Sequence, residues 1–532
     1  MSINIVKLVF KMVSENLAAM IVKEFKKILF PVLTFIIIAG AYYIWTWSPV
    51  LAQLDGDNAI YLMSANIYSP YTTPSHVSVY FDSASLYPPM YPLLLGLLGG
   101  GNSILIAHVI TTSFLLLAML TLYWWMINLN FDRTHALVLV FIFSISPGTY
   151  FEAMSLHSEI LYLLFSLIGI CLVALKENTG NDKLLWVGVI FIACTALTRS
   201  AGISIVMALI IYLVINNVSR KYYLSIVALI PMVLWGLLNN QDSDSYLDIL
   251  SNYYTTDFIA SLLQQVVNQS VYMLSAWHSA FTLGDSGHIL LNVFAVISVL
   301  SIIFRVYKKK LDGIYTFLYL CMVMSWPYPD EIKRLLFPIM PVLLVQSSMF
   351  IKFIDEHWSS SKFPVGNSIA GITLLIILIP NMLLTVSRSN VLVDETIIPP
   401  QYKKTYDWYH LNLRQAINQV AFNYVFVTGL EDAKNHVPID ECVYSIKPGL
   451  VGLYMERVSK APPDSSFDDN EYFNMTEQEN CHYYYLVNGT SPSYKENFYP
   501  YQRLGSKLEL IKTYHFPNDP KNPVSILGKM KK

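Results

Sequence analysis

The sequence predicts a polytopic α-helical membrane protein that ends in a small α/β domain. Of its 532 residues, 54% are hydrophobic and only 14% are charged, whereas an ordinary soluble domain has about 25% charged residues. Long apolar stretches recur as far as residue 387, and the composition then becomes polar and aromatic. We therefore expect a bilayer around most of the chain and a water-exposed domain at its end.

Eleven apolar stretches are candidates for transmembrane helices. They lie near residues 28–50, 102–127, 135–151, 157–175, 184–198, 200–216, 222–239, 288–305, 313–327, 335–351 and 367–387. Some are shorter than the roughly 20 residues that a membrane-spanning helix needs, so we expect about 11 spans. Lysines precede the first stretch and no small-residue cleavage site follows it, which favours an uncleaved signal-anchor.

The distribution of lysine and arginine predicts which loops face the cytoplasm. Basic residues concentrate at the N-terminus and in every second loop, whereas residues 51–101 and 240–287 contain no Lys or Arg. By the positive-inside rule these two long loops and the final domain lie outside the cytoplasm. We expect a bacterial inner membrane, with an archaeal membrane and the endoplasmic reticulum as alternatives. A net charge of −2 gives no basic face for nucleic acid.

The chain thus divides into a membrane domain, residues 1–387, and a soluble domain, residues 388–532. Loop 51–101 predicts a short helix at 57–68, and loop 240–287 predicts an amphipathic segment at 247–266 on the membrane surface.

Two segments of the soluble domain, 441–446 and 481–487, are typical of buried strands, and helices are predicted at 403–422 and 448–457. Cys442 and Cys481 each begin one of these strands. In an oxidising compartment they form either a disulfide or two buried thiols, and the sequence leaves both open.

The first outer loop contains the most informative pattern. Asp55 and Asp57 follow the first apolar stretch, and the spacing Asp57-x3-Tyr61-x3-Ala65 places three residues on one helix face. The turn Tyr87-Pro88-Pro89-Met90-Tyr91-Pro92 then leads into further apolar sequence. Together these motifs resemble the membrane glycosyltransferases of the GT-C class, especially the protein O-mannosyltransferase and lipid A aminoarabinose-transferase relatives.

The resemblance implies an inverting transfer of a hexose or pentose from a polyprenyl-phosphate donor to an acceptor outside the cytoplasm. Asp57 matches the family's catalytic acid and would act as general base, with Asp55 as a second carboxylate and Tyr61 orienting the substrate. Desolvation would raise the pKa of this base. The alternative is that Asp57 caps the helix N-terminus. The acceptor is a lipid, a glycan or a protein.

The same resemblance assigns cations to the donor phosphate. Arg199 stands in a Thr-Arg-small-Gly element, and Lys333 and Arg334 stand in an Arg-Leu-Leu-x-Pro-x-x-Pro element of the late outer loop. Tyr87 replaces a lysine that several relatives have before the Pro-Pro turn, and it offers one hydrogen bond without a charge. The alternative for the cations is snorkelling to lipid headgroups.

Two residues before the fourth apolar stretch are candidates for orienting the substrate. His157 and Glu159 lie between two apolar stretches on the predicted outer side, and Glu159 matches an acidic residue of the family. Glu159 either contacts the sugar, pairs with Arg199 or remains a solvated turn acid.

No cofactor is expected. The string Asp55-Gly56-Asp57 could ligate a divalent cation through carboxylate oxygens, but the branch that the sequence resembles does not generally use a metal. The five cysteines have no metal-site spacing.

Two other functions fit a polytopic protein. A transporter or flippase of polyprenyl-linked glycans would have internal repeats and charges near the middle of the membrane, and the sequence shows neither. A GT-C-like scaffold without activity would not need the acidic residues of the first loop.

Overall fold

The computed structural model describes residues 29–54, 56–83, 87–238, 258–284, 287–358, 365–389, 393–405, 413–478, 481–490, 494–516 and 519–531. Asp55, the N-terminal lysines and most of the predicted amphipathic segment lie outside these described residues.

The membrane domain is built from helices of which many are apolar over their whole length. The helices are α1 Leu29–Thr46, α2 Gly56–Ile67, α3 His76–Ser83, α4 Met90–Leu97, α5 Ile104–Asn128, α6 Arg133–Ile145, α7 Pro147–Ala153, α8 Glu159–Thr179, α9 Asp182–Ala196, α10 Ile203–Ile215, α11 Lys221–Leu238, α12 Phe258–Phe281, α13 His288–Tyr307, α14 Leu311–Met324, α15 Ile332–Leu336, α16 Met340–Trp358 and α17 Val365–Ser389. Every predicted apolar stretch coincides with a helix, and α2 confirms the helix predicted at 57–68.

Helix length supports fewer spans than the sequence predicts. Among the described residues, 6 helices are long and apolar enough to cross a membrane, or 7 if α6 and α7, which meet at a 63° bend, count as one span. Helices α9, α10, α11 and α14 occupy the other predicted positions but are shorter apolar helices. The count of 11 therefore remains a prediction.

The helix bundle separates the connecting loops into two ends, as their alternation predicts. At one end, Lys352 Nζ donates to Asn130 O at 3.0 Å and Asn216 Nδ2 donates to Lys309 O at 3.0 Å. These contacts join loops that are predicted to be cytoplasmic. At the opposite end, α2 packs against α3 and α4, Met90 N donates to Leu197 O at 2.9 Å, and Arg334 donates to Asp57. Which end faces the cytoplasm remains a prediction.

Helix α12 gives the second long loop a definite position. It packs against α7 and α15, and the Nε2 atoms of Gln265 and Gln269 both donate to Trp326 O, at 2.9 and 2.5 Å. Val267 and Val271 on the same helix are exposed. This part of the loop thus contacts the bundle through one face and presents another apolar face outward.

The C-terminal domain is an α/β domain with a five-stranded mixed sheet in the order β2-β1-β3-β5-β4. The strands are β1 Val443–Tyr444, β2 Ser459–Lys460, β3 Tyr483–Val487, β4 Leu508–Phe516 and β5 Asp519–Met530; the helices are α18 Leu413–Ala433, α19 Asp469–Gln478 and α20 Tyr501–Leu504, with helical turns at Pro448–Leu450 and Val451–Met455. Strand β1 pairs in parallel with β2 and β3, and β5 pairs antiparallel with β3 and β4.

The predicted strands are confirmed by β1 and β3, whose buried residues form the centre of the sheet. Cys442 and Cys481 are joined by a disulfide between the starts of these strands. Helix α18 covers the sheet, where Tyr485 donates from its hydroxyl to Phe426 O at 3.2 Å.

The C-terminal domain packs directly on loop 51–101. A Cβ on Gly449 would lie 3.0 Å from Gly56 O, and one on Gly452 would overlap the Phe81 ring. A side chain at position 452 would therefore collide with α3, and one at position 449 would crowd α2, so glycine suits both positions. Lys404 adds a second attachment, because its ammonium donates to the carbonyl oxygens of Ile44 and Trp45 at the end of α1.

Candidate functional site

Helix α2 starts at a fixed position relative to the bundle because Asn58 connects two loops. Its Nδ2 donates to Gln53 O at 3.0 Å, and its Oδ1 accepts from Leu156 N at 2.9 Å. Asn58 is 1% exposed, so both amide atoms act inside the protein. These bonds hold the neighbouring Asp57 beside the segment that precedes α8.

Four charged side chains from distant parts of the chain form one network. Arg334 donates from Nη1 to Asp57 Oδ2 at 2.6 Å and from Nε to Glu159 Oε1. Arg199 pairs with the same Glu159 oxygen. The network therefore runs Asp57–Arg334–Glu159–Arg199, with two carboxylates and two guanidinium groups in alternation.

The network is buried at one end and accessible at the other. Glu159 is 0% exposed and the Arg199 side chain is 14% exposed, whereas the side chains of Arg334 and Asp57 are 23% and 26% exposed. Glu159 Oε2 is buried and has no hydrogen-bond partner among the described residues. Charged groups that are accessible but held by buried partners are suited to bind an incoming ion.

Tyrosines surround the accessible carboxylate. Tyr87 donates from its hydroxyl to Asp57 Oδ1 at 2.5 Å. Tyr61 lies between the rings of Tyr87 and Tyr91, at centroid distances of 4.9 and 5.1 Å, and its hydroxyl shares a hydrogen bond of 2.9 Å with Ser158. The structure thus uses Tyr87 to orient Asp57, and Tyr61 packs behind that contact.

The pKa of Asp57 is lowered from its ordinary value. Burial raises this pKa, but the charge of Arg334, supported by His157 and by the hydrogen bond from Tyr87, outweighs burial. The sequence-based expectation of a raised pKa is therefore wrong for this state of the protein. Desolvation alone would raise this pKa, but a distant segment of the chain places Arg334 beside the carboxylate.

A cavity of about 570 Å³ opens beside the network. Lys333 and Arg334 line it together with Glu152 and His157, whose Oε2 and Nδ1 atoms are 3.8 Å apart. Both Glu152 and His157 are 3% exposed. Helix α12 forms the opposite wall through Tyr272 and small residues. The cavity therefore combines cations, a buried acid–imidazole pair and apolar surface.

The structure brings together most of the residues singled out in the sequence. Asp57, Tyr61, Tyr87, Glu159, Arg199 and Arg334 lie in one connected cluster, and His157 and Lys333 line the adjacent cavity. Asp57 is the second residue of α2, and its carboxylate accepts hydrogen bonds from Tyr87 and Arg334. Its role is therefore not limited to capping the helix N-terminus. Among its proposed roles, Glu159 takes that of pairing with Arg199.

Two features of the site carry no signal in a single sequence. Gln53 lines the cavity, and α12 covers the site. Each depends on the packing of segments that are far apart in the chain. Among the described residues, no group of three or more His, Cys, Asp or Glu side chains is placed to hold a metal, and Asp55 lies outside them.

No protein-family model matches the sequence, and no curated protein matches it. Solved structures are nevertheless similar. The crystal structure of ArnT from Cupriavidus metallidurans bound to undecaprenyl phosphate has 10% sequence identity and a TM-score of 0.53, over 93% of this chain and 97% of that chain. The apo crystal structure of the same protein has 10% identity and a TM-score of 0.50 over the same shares.

The likeness covers the membrane domain and the C-terminal domain together. At this level of identity it shows a common fold, and the fold is that of the GT-C class, as the motifs of the first loop predict. A shared fold does not determine the chemistry, which depends on the side chains that this chain places in its site.

Proposed function

We propose that this protein is an inverting glycosyltransferase that moves a sugar from a polyprenyl-phosphate donor to an acceptor hydroxyl outside the cytoplasm. The observation that carries the proposal is the Asp57–Arg334–Glu159–Arg199 network, which borders a cavity of about 570 Å³. One comparison supports it: the crystal structure of ArnT, which has a similar fold, contains undecaprenyl phosphate.

Arg334 and Lys333 would bind the donor phosphate, because both line the cavity. A guanidinium can donate two parallel hydrogen bonds to phosphate oxygens, and an ammonium adds a point charge. Arg199 would act one step away, since it pairs with Glu159 and so balances the carboxylate that also contacts Arg334. Without Arg199, Glu159 would neutralise more of the charge that Arg334 offers to phosphate.

Binding of the donor would also prepare the base. In the free protein Arg334 contacts Asp57 and lowers its pKa. A phosphate in the cavity competes for the same guanidinium, and any weakening of the ion pair leaves burial as the dominant influence on Asp57. The pKa of Asp57 then rises, so the carboxylate becomes a stronger base when the donor is present.

The transfer step balances without a cofactor. Asp57 takes the proton of the acceptor hydroxyl, and the acceptor oxygen forms a bond to the anomeric carbon from the face opposite the phosphate. The bond between that carbon and the phosphate oxygen breaks, and the polyprenyl phosphate leaves with the electron pair. Inversion at the anomeric carbon follows from this single displacement, and Arg334 and Lys333 stabilise the charge on the departing phosphate.

Tyrosine and histidine side chains would orient the reacting groups. Tyr87 holds one oxygen of Asp57, and Tyr61 supports Tyr87 through ring packing. His157 and its partner Glu152 line the cavity and can hydrogen-bond to sugar hydroxyls. The site would face outward from a bacterial inner membrane, with no metal required, and accept a lipid, glycan or protein hydroxyl.

The test is turnover of lipid-linked sugar by the purified protein in nanodiscs, with membranes of the source organism supplying donor and acceptor. Asp57→Asn should slow release of polyprenyl phosphate by about 10²–10⁴-fold, which is the usual contribution of a general base. Asp57→Glu should retain part of the rate, and unfolding curves of both variants check the fold.

Full activity in a folded Asp57→Asn variant would contradict the proposed base. If the unaltered protein releases no polyprenyl phosphate, the enzyme proposal itself fails, and a flippase or a scaffold becomes the better account.

A further inference from the structure

A second cavity, of about 340 Å³, lies between the first outer loop and the C-terminal domain. Its membrane-domain wall contains Gln53, Leu54 and Phe151, and the opposite wall comes from α18 and from the start of the 448–455 turns. Its volume is at the lower end of the roughly 300–1,000 Å³ range of ligand pockets. A ligand with one or two sugar rings is of suitable size, and a folded partner is not.

This second cavity adjoins the donor cavity. Gln53 and Phe151 line both of them, so these two side chains form a shared wall. Nε2 of Gln53 is buried and has no hydrogen-bond acceptor among the described residues. A buried amide donor without a partner is costly, and a ligand oxygen in either cavity could satisfy it.

The second cavity also lies close to the proposed base. Leu450 lines it, and the preceding Gly449 approaches Gly56, which is the residue before Asp57. Leu54 lines the same cavity from the chain segment that leads into α2. Gln53 and Phe151 would separate a ligand held there from the donor phosphate ligands Lys333 and Arg334, which line the first cavity.

The side chains that line the second cavity suit a carbohydrate. Phe422 and Phe426 present aromatic surface, which can pack against the C–H face of a sugar ring. Gln419 and Asn423 add side-chain amides to the lining. Nδ2 of Asn423 donates to Thr405 O, and an amide oxygen can accept a hydrogen bond from a sugar hydroxyl. Among the described residues that line this cavity, Lys447 is the charged one and none is acidic. A purely aliphatic lipid chain would leave the buried Nε2 of Gln53 without a hydrogen-bond acceptor among the described residues.

We propose that the second cavity is the acceptor subsite and that it binds a saccharide of one or two sugar rings. This inference rests on the proposed glycosyl transfer and makes it specific, because it favours a glycan over a lipid or protein acceptor. The C-terminal domain then has a direct role, since its α18 and Lys447 complete a subsite that the membrane domain alone leaves open.

The experiment measures binding of saccharides to the full-length protein in nanodiscs by saturation-transfer-difference NMR. The probes are methyl glycosides of the common hexoses, pentoses, N-acetylhexosamines and uronic acids, together with their disaccharides. We expect at least one probe to bind. Phe422→Ala and Lys447→Ala should each weaken that binding about tenfold, because each removes a direct contact.

Three controls separate the subsite from other effects. Lys434→Ala changes a lysine of the same domain that pairs with Glu456 outside the cavity, and it should leave saccharide binding unchanged. Asp57→Asn should slow transfer by about 10²–10⁴-fold but keep saccharide binding. Arg334→Ala should weaken polyprenyl phosphate binding but not saccharide binding.

Two results would overturn the subsite. One is that no probe binds, or that Phe422→Ala and Lys447→Ala bind the saccharide as well as the unaltered protein does. The other is loss of saccharide binding in Arg334→Ala, which would place the sugar in the donor cavity. If donor turnover persists in either case, the subsite fails while the proposed glycosyl transfer stands; if turnover is absent, the proposed function itself fails.

Discussion

The two ends of the helix bundle each contain an arginine paired with a carboxylate, and they use it differently. At one end Arg305 donates from Nε and Nη2 to both oxygens of Asp312, and Gln346 donates to the same carboxylate at 3.1 Å. The side chains of Arg305 and Asp312 are only 7% and 4% exposed. At the other end Arg334 divides its donors between Asp57 and Glu159.

The difference lies in how completely the charges are satisfied. Arg305 and Asp312 face each other with two parallel hydrogen bonds, and this pair borders a smaller cavity of about 170 Å³. Arg334 and Asp57 are about one quarter exposed beside a cavity of about 570 Å³, and Glu159 keeps an oxygen without a hydrogen-bond partner among the described residues. The first arrangement fixes helices α13 and α14, whereas the second leaves capacity for a ligand.

The largest loss of stability should come from breaking the buried ion pair between Arg305 and Asp312. Arg305→Ala leaves Asp312 as a buried charge without its partner, which should cost about 3–5 kcal/mol of unfolding free energy. Replacing both residues, Arg305→Met with Asp312→Leu, should restore most of that stability and keep transferase activity. Thermal unfolding in detergent micelles measures the first effect, and polyprenyl phosphate release measures the second.

Equal stability of Arg305→Ala and the unaltered protein would show that this pair is not structural. Loss of activity in a stable double variant would show that the two ends are coupled. The Arg305–Asp312 pair would then have a role in activity as well as in stability.

The network Asp57–Arg334–Glu159–Arg199 should affect the pH dependence of the proposed reaction. Asp57 has a pKa below its ordinary value of 3.8 in the free protein because Arg334 is beside it. The acid limb of kcat/KM, which reports the free enzyme, should therefore lie at lower pH than the acid limb of kcat, which reports the complex with donor. In Arg334→Ala the acid limb of kcat/KM should move to higher pH. Coincident limbs in both proteins would contradict competition between phosphate and Asp57 for Arg334.

The smallest effect is expected from a partly exposed ion pair at the end of the bundle that contains Arg305 and Asp312. Lys310 Nζ lies 2.6 Å from Glu177 Oε2, with side chains 35% and 26% exposed. Lys310→Ala should change the unfolding free energy by less than about 1 kcal/mol, because surface ion pairs contribute little. A loss comparable with that of Arg305→Ala would mean that burial does not distinguish the two pairs.

The sequence predicts the elements of this fold better than their junctions. Long apolar runs predict the helices, because a segment that lies in lipid must be apolar. The alternation of loop charge predicts which loops lie at the same end of the bundle. Helix α3 and the β4–β5 hairpin were not predicted, since polar sequence there carries no strong periodicity. The disulfide between Cys442 and Cys481 was one of two open alternatives, because only geometry decides it.

The candidate site was predicted as a set of residues and not as a network. Motifs brought Asp57, Arg199 and Arg334 to attention one at a time, but the ion pair between Asp57 and Arg334 joins positions 277 residues apart. The lowered pKa of Asp57 follows from that pair and so was missed. The approach of Gly449 to Gly56 depends on packing between domains, which local pattern does not encode.

The most direct test of the open network is the binding of undecaprenyl phosphate to the purified protein, measured by titration with native mass spectrometry. Arg334→Ala should bind this lipid roughly tenfold to a hundredfold more weakly than the unaltered protein, as expected for loss of a charge-assisted contact. Lys310→Ala, which removes a cation at the other end, should bind it normally. Unchanged binding in Arg334→Ala, or equal weakening in both variants, would contradict the assignment of the donor phosphate to this network.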